Sequence, residues 1–158
     1  MVSRRQFLGL AGATGATVVG VALGVRALPD DKPDDSSGPP AIRLGSDTCD
    51  HCNMIVSDIR FASAWRHGTT GARFDDIACM VRASREREPG GTTTFYVHDF
   101  NDESWLLASA ATFIVTPAIV TPMASGIAAF GSAAAATQYD TTLQSWANVR
   151  ESLPAMRS

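Results

Sequence analysis

The sequence predicts a single small α+β domain of two similar strand–strand–helix halves, placed after an N-terminal export signal and a linker. Three observations point there. Short runs of β-branched and aromatic residues alternate with segments of helical period. A strand–Phe–helix order occurs twice, over Ala62 to Val81 around Phe74 and over Ile127 to Tyr139 around Phe130. A polar, proline-rich break precedes both. With 158 residues there is room for one domain and a modest two-layer core.

Taken in order, residues 1–27 read as a twin-arginine export signal or N-terminal anchor. Ser3-Arg4-Arg5-Gln6-Phe7-Leu8 leads into the apolar run Phe7 to Val25, and Val25-Arg26-Ala27 offers small residues for cleavage. The run approaches membrane-spanning length, but its five glycines make it weakly hydrophobic for a permanent span. Residues 28–41 read as a disordered Pro/Asp-rich linker, with Pro29 to Pro40 too polar to bury a core. The folded domain is expected over 42–158. Its strands are expected over Phe61 to Trp65, Thr92 to Asp99, Thr112 to Thr116 and Ile127 to Phe130, with His67 to Gly71 as a turn.

Helices are expected from Phe74 to Arg85, from Ser132 to Tyr139 and from Leu143 to Ser152. The first opens on Asp75 and Asp76 and closes on Arg82, Arg85 and Arg87, an order that suits the helix dipole. Pro89-Gly90-Gly91 and Pro154 act as stops. Capping and solvation account for Asp75 and Asp76 better than acid–base chemistry does.

Charge excludes some partners. Net charge is −3, with 13 basic and 16 acidic residues. The first 27 residues hold Arg4, Arg5 and Arg26 and no acid, so the remainder keeps 10 basic and 16 acidic residues and stands at −6. An acidic body does not suit nucleic acid or an anionic membrane surface. Nucleophile elbows, phosphate-binding glycine loops and zinc-protease histidine pairs are missing, and no enzyme activity is expected.

The chemistry concentrates in Cys49-Asp50-His51-Cys52-Asn53-Met54. Two thiols and a thioether within six residues match a soft cation such as Cu(I), whereas a thioether adds nothing for zinc. If the chain is extended there, Cys52 and Met54 project to one side. Spacing alone leaves a disulfide, a thiol redox pair and half of a zinc site open for Cys49 and Cys52. His51 could fold back as an imidazole donor. Cys79, beside Met80 in an apolar helix, reads as a packing residue. His98 reads as a satisfied edge residue and His67 as a loop residue. Met123 sits among small residues in the loop segment Thr121 to Gly126, where either packing or presentation of its sulfur is open.

These residues resemble the NosL family of copper-binding accessory proteins of nitrous-oxide reductase maturation. The likeness runs through Cys49 to Met54, Phe74-Asp75-Asp76, Val97-His98-Asp99, Trp105, Ala110 to Val115 and Met123 to Phe130. It implies an α+β fold of two similar halves and an exported, periplasmic or cell-surface protein. It implies one Cu(I), bound through Cys52, Met54 and Met123, while Cys49 and His51 stand as further candidates from the soft-donor segment itself. The implied partners are the copper ion and a recipient copper enzyme or its membrane maturation complex. Cys52 and Met54 match the family's Cys-Gly-Met core, with Asn53 in place of Gly. Met123 matches the later Met, with Ala124 in place of Gly. Asn tolerates a left-handed backbone, so the turn survives the exchange. The lipid-attachment cysteine is missing near the end of the apolar run, which leaves membrane tethering to the N-terminal segment itself.

Overall fold

The computed structural model describes residues 37–87 and 92–153. The export signal, most of the linker and the two helix stops, Pro89-Gly90-Gly91 and Pro154, lie outside the described residues. Six strands and three helices follow one another: β1 Ser63–His67, β2 Thr70–Phe74, α1 Ile77–Arg87, β3 Thr93–His98, β4 Trp105–Leu107, β5 Thr112–Val115, β6 Ile127–Phe130, α2 Ala133–Ala136 and α3 Trp146–Ser152. β1 to β4 form an antiparallel sheet in the order β2-β1-β3-β4, and β5 pairs with β6 in a second, two-stranded sheet. No helix among the described residues is long and apolar enough to cross a membrane.

The α+β class and the two similar halves are present. In each half a strand pair ends on a phenylalanine, two residues follow, and a capped helix begins. Phe74 ends β2, and the Asp76 carboxylate accepts from the Ala78 N–H at the start of α1 at 2.7 Å. Phe130 ends β6, and Ser132 accepts from the Ala135 N–H at the start of α2. The halves differ in the connection between their strands. β1 and β2 are joined by the tight Gly68-Thr69 turn, whereas β5 and β6 are separated by the loop Thr116 to Gly126, which carries Met123.

Period-two side-chain alternation explains why β5 and β6 read as unbroken apolar runs. Phe113, Ile127 and Ala129 enter the main core with Phe74, Ile77, Met80 and Val149. Ile114, Ala128 and Phe130 point the other way, into a second cluster with Phe61, Ile119 and Ala136. The strand pair is therefore buried on both faces, and β6 has no exposed residue. α3 covers the main core: Trp146 lies 5.2 Å from the Phe95 ring and 5.8 Å from the Phe113 ring.

Boundaries differ from the sequence expectation in instructive ways. Phe74 does not open a helix. It pairs with Ser63 as the last residue of β2, and α1 starts three residues later, because Asp76 caps it. The segment Thr70 to Phe74, expected in part as a turn, is a full edge strand. β4 was not foreseen: it is only three residues long, too short for a periodic signal, and is held by its pairing with β3. Leu143 and Gln144 lie ahead of α3, and Gln144 exchanges two hydrogen bonds with Phe113 of β5. The chain is already packed on the domain ahead of residue 42: Pro40 is buried, and the Gly38 and Ala41 carbonyls accept from Arg66 and Arg73.

His98 is buried at the end of β3. Its Nδ1 is 2.9 Å from the Ala62 carbonyl oxygen and its ring lies against Trp105 at 3.6 Å. Burial pushes its pKa below the usual histidine value. A depressed folded-state pKa contributes stability that is present above the unfolded-state value and lost as pH falls towards the folded one. The apoprotein's melting temperature is expected to drop between about pH 7 and about pH 5, and the drop is expected to be shallower for His98→Gln. Equal slopes in the two proteins, measured by calorimetry, would remove His98 as the cause.

Candidate metal centre

The cysteine segment folds as a closed turn. Thr48 and Ile55 form an antiparallel bridge. Inside it the Cys49 N–H donates to the Met54 carbonyl at 2.7 Å and the Asn53 N–H donates to the Cys49 carbonyl at 3.0 Å. Asn53 takes the left-handed conformation at φ 61°, which an asparagine accepts at low cost. The extended arrangement expected between Cys52 and Met54 is therefore not formed, because the chain reverses at Asn53. Asp50 fastens the turn to β2: its N–H donates to the Arg73 carbonyl, and its carboxylate accepts from the Arg73 N–H at 2.7 Å. Arg87, near the end of α1, donates to the Asp50 carbonyl.

The first turn of α1 brings a third thiol to this loop. The Cys79 N–H donates to the Asp76 carbonyl at 2.9 Å, which aims the side chain back towards the helix start. The Sγ atoms of Cys49, Cys52 and Cys79 all lie within 4.8 Å of one another. All three are free thiols; Cys49 and Cys79 are buried and Cys52 is half-buried. Cys79 was expected as packing only. Its available signal was being an odd cysteine in a chain that already held a soft-donor cluster.

Electrostatics divides the three. The Cys79 thiol donates a hydrogen bond to Cys49, and the backbone N–H groups of Cys52, Asp75 and His51 also point at the Cys49 sulfur. These donors outweigh burial and bring the Cys49 pKa down to about 5. Giving that hydrogen bond, together with burial, pushes Cys79 far up. Cys52 is also raised, chiefly by burial. Cys49 is thus the thiol of the three that ionises most readily, and Cys79 holds its proton against it.

Asp76 joins this cluster to the loop between β5 and β6. Its carboxylate is fully buried. One oxygen accepts from the Ala78 N–H and from the Ser125 hydroxyl at 2.8 Å. The other accepts from the Thr121 hydroxyl at 2.7 Å and from the Met123 N–H at 3.0 Å. Gly126 closes the loop at φ 68°, and a β-carbon there would fall 2.3 Å from the Thr116 carbonyl oxygen. Of the two acids expected to cap the helix and face solvent, Asp76 caps it and Asp75 does not, and neither is solvated: Asp75 is also fully buried and accepts from the Ser57 N–H and hydroxyl.

The other candidates fall into two groups. Met123 is partly buried against the main core, as is Cys52. Met54 is 49% exposed. His51 is mostly buried, with Nδ1 3.7 Å from a Glu86 carboxylate oxygen and Nε2 without a partner among the described residues. It does not belong to the group of mutually close donors formed by the three thiols. His98 is a structural residue, and His67 contacts the Thr93 hydroxyl near the β1–β2 turn.

Fold and site together define a small α+β domain that gathers thiols between a turn and a helix start. The sequence model of the NosL family matches residues 42–144, and the chain belongs to that family. Among solved structures it resembles the crystal structure of the copper chaperone NosL from Shewanella denitrificans. That likeness has a TM-score of 0.59 at 16% identity and covers 73% of this chain and 98% of that one. No curated protein matches the chain.

Removing the Asp76 carboxylate leaves two N–H groups and one of two paired hydroxyls without an acceptor in the interior. Asp76→Ala is expected to cost roughly 3 kcal/mol or more in urea unfolding. A loss under about 1 kcal/mol would show that the loop is held by packing alone.

Proposed function

We propose that this protein is an extracytoplasmic Cu(I) chaperone that delivers copper for assembly of a copper enzyme, nitrous-oxide reductase in the first instance. The observation that carries the reading is the cluster of three free thiols within 4.8 Å, set in a NosL-family domain. Cys52 is the anchor, since it alone of the three is partly open to an incoming ion. Met54 and Met123 are the thioether donors, Cys49 is an auxiliary thiol, and His51 is the flanking imidazole. Sulfur donors hold the soft Cu(I) ion in preference to harder cations. The copper chaperone NosL of Shewanella denitrificans shares this fold, and that likeness and the two methionine positions support copper as the cargo.

The pattern of acidities does not favour a thiol oxidoreductase. Such an enzyme exposes its low-pKa thiolate to substrate. Here the thiol of lowered pKa, Cys49, is fully buried, and the accessible Cys52 is raised. The reading as a carrier needs no redox step at either sulfur.

Cys52→Ala is expected to weaken Cu(I) binding by roughly a hundredfold or more, beyond what loss of a residue that only orients a ligand costs. The assay is competition against a chromogenic Cu(I) chelator under anaerobic, reducing conditions. Wild-type affinity in that variant rejects Cys52 as the anchor. Export is tested separately: Arg4→Lys with Arg5→Lys keeps the charge and removes the twin-arginine signature. The chain is expected to remain in the cytoplasmic fraction; unchanged export of the double variant rejects that route.

A further inference from the structure

The proposed function names Cys52, Met54 and Met123 as ligands, which gives Cys79 no role of its own and leaves Cys49 auxiliary, although both lie within 4.8 Å of Cys52. Packing alone does not require it. The two come from elements far apart in sequence, the Asn53 turn and the first turn of α1, and each sulfur is aimed by its own backbone bonds. A metal bound to three sulfurs in a plane, at about 2.3 Å each, holds them about 4 Å apart. The sulfurs within 4.8 Å of one another close onto such an ion with small side-chain rotations. No fourth Cys, His, Asp or Glu among the described residues joins the group. Three soft donors without a fourth suit Cu(I) and not the four-coordinate preference of zinc.

We propose that Cys79 completes a buried three-thiolate seat with Cys49 and Cys52, in which Cu(I) rests, and that Cys52 carries the ion outward to Met54 and Met123 for handover. This deepens the copper-carrier reading and rests on it. On loading, Cu(I) displaces the thiol protons that Cys52 and Cys79 hold, which pass to solvent. On release, the bonds to Cys49 and Cys79 break as bonds to the two thioethers form. The copper stays Cu(I) throughout, and the freed Cys79 thiolate regains a proton from water. The two seats are mechanically joined. Cys49 donates its N–H to the Met54 carbonyl, while the Cys79 and Met123 N–H groups both donate to Asp76.

Selenomethionine labelling of the full chain separates the two seats without altering a cysteine. Every thioether then carries selenium and every thiolate sulfur. Copper-edge X-ray absorption of the Cu(I)-loaded labelled protein is expected to show three sulfur neighbours and no selenium. One sulfur with two seleniums overturns the inference and leaves the copper-carrier reading standing. A chain that binds no Cu(I) removes both. Cys79→Ser provides the second measurement, with circular dichroism of the apoprotein checking that it folds. Cu(I) affinity is expected to fall roughly a hundredfold, with loss of thiolate-to-copper ultraviolet absorption intensity. Unchanged affinity and absorption in a folded Cys79→Ser variant also overturn the inference.

Discussion

Asp76 is the constraint on which the arrangement depends. A buried carboxylate is expensive unless every lone pair is engaged, and here four donors engage it. Two of those donors are backbone N–H groups on separate elements, at the start of α1 and in the loop between β5 and β6. The first positions the helix turn that carries Cys79, and the second positions Met123. Neither position can shift without leaving the carboxylate underbonded. The loop is therefore as well placed as the helix, although it has no secondary structure of its own.

The thiol cluster is built on the same scaffold from the opposite side. The Cys49 turn is bonded to β2 through Asp50 and Arg73 and to the far end of α1 through Arg87. Arg85 donates to the carbonyls of Arg150 and Leu153 at the end of α3. The arginines that the sequence suggests for the helix dipole thus also link the site loop and the last helix to α1. Within the cluster a single shared proton sets the acidities: the Cys79 thiol stabilises the Cys49 thiolate. The interior therefore already stabilises one anionic sulfur, as a binding site for a soft cation requires.

The repeated ββα plan explains how one small domain can hold both parts. In the first half the hairpin is tight, and the helix start faces the cysteine turn. In the second half the hairpin is opened into a loop, and the loop reaches back to the first helix. β5 and β6 pack on both faces, so the two cores stabilise the base of that loop from both sides.

Much of this was legible in the sequence by itself. The class, the strands at Ile127 to Phe130 and near Thr93, the Ser132 cap and the left-handed Asn53 follow from local propensity and from what each backbone position tolerates. So does the soft-donor character of Cys49 to Met54, since those donors are neighbours in the chain. Local spacing misplaced Phe74, because a residue that ends a strand beside a helix fits both periods. It missed β4, which exists through its pairing with β3. It also left Cys79 as packing. Only the tertiary structure decided that Cys79 meets Cys49 and Cys52 and that Met123 is tied to Asp76. The first contact forms when the cysteine turn, β2 and α1 close on one another and the second when the loop between β5 and β6 reaches α1, and distance in space between remote residues is not encoded in any local pattern.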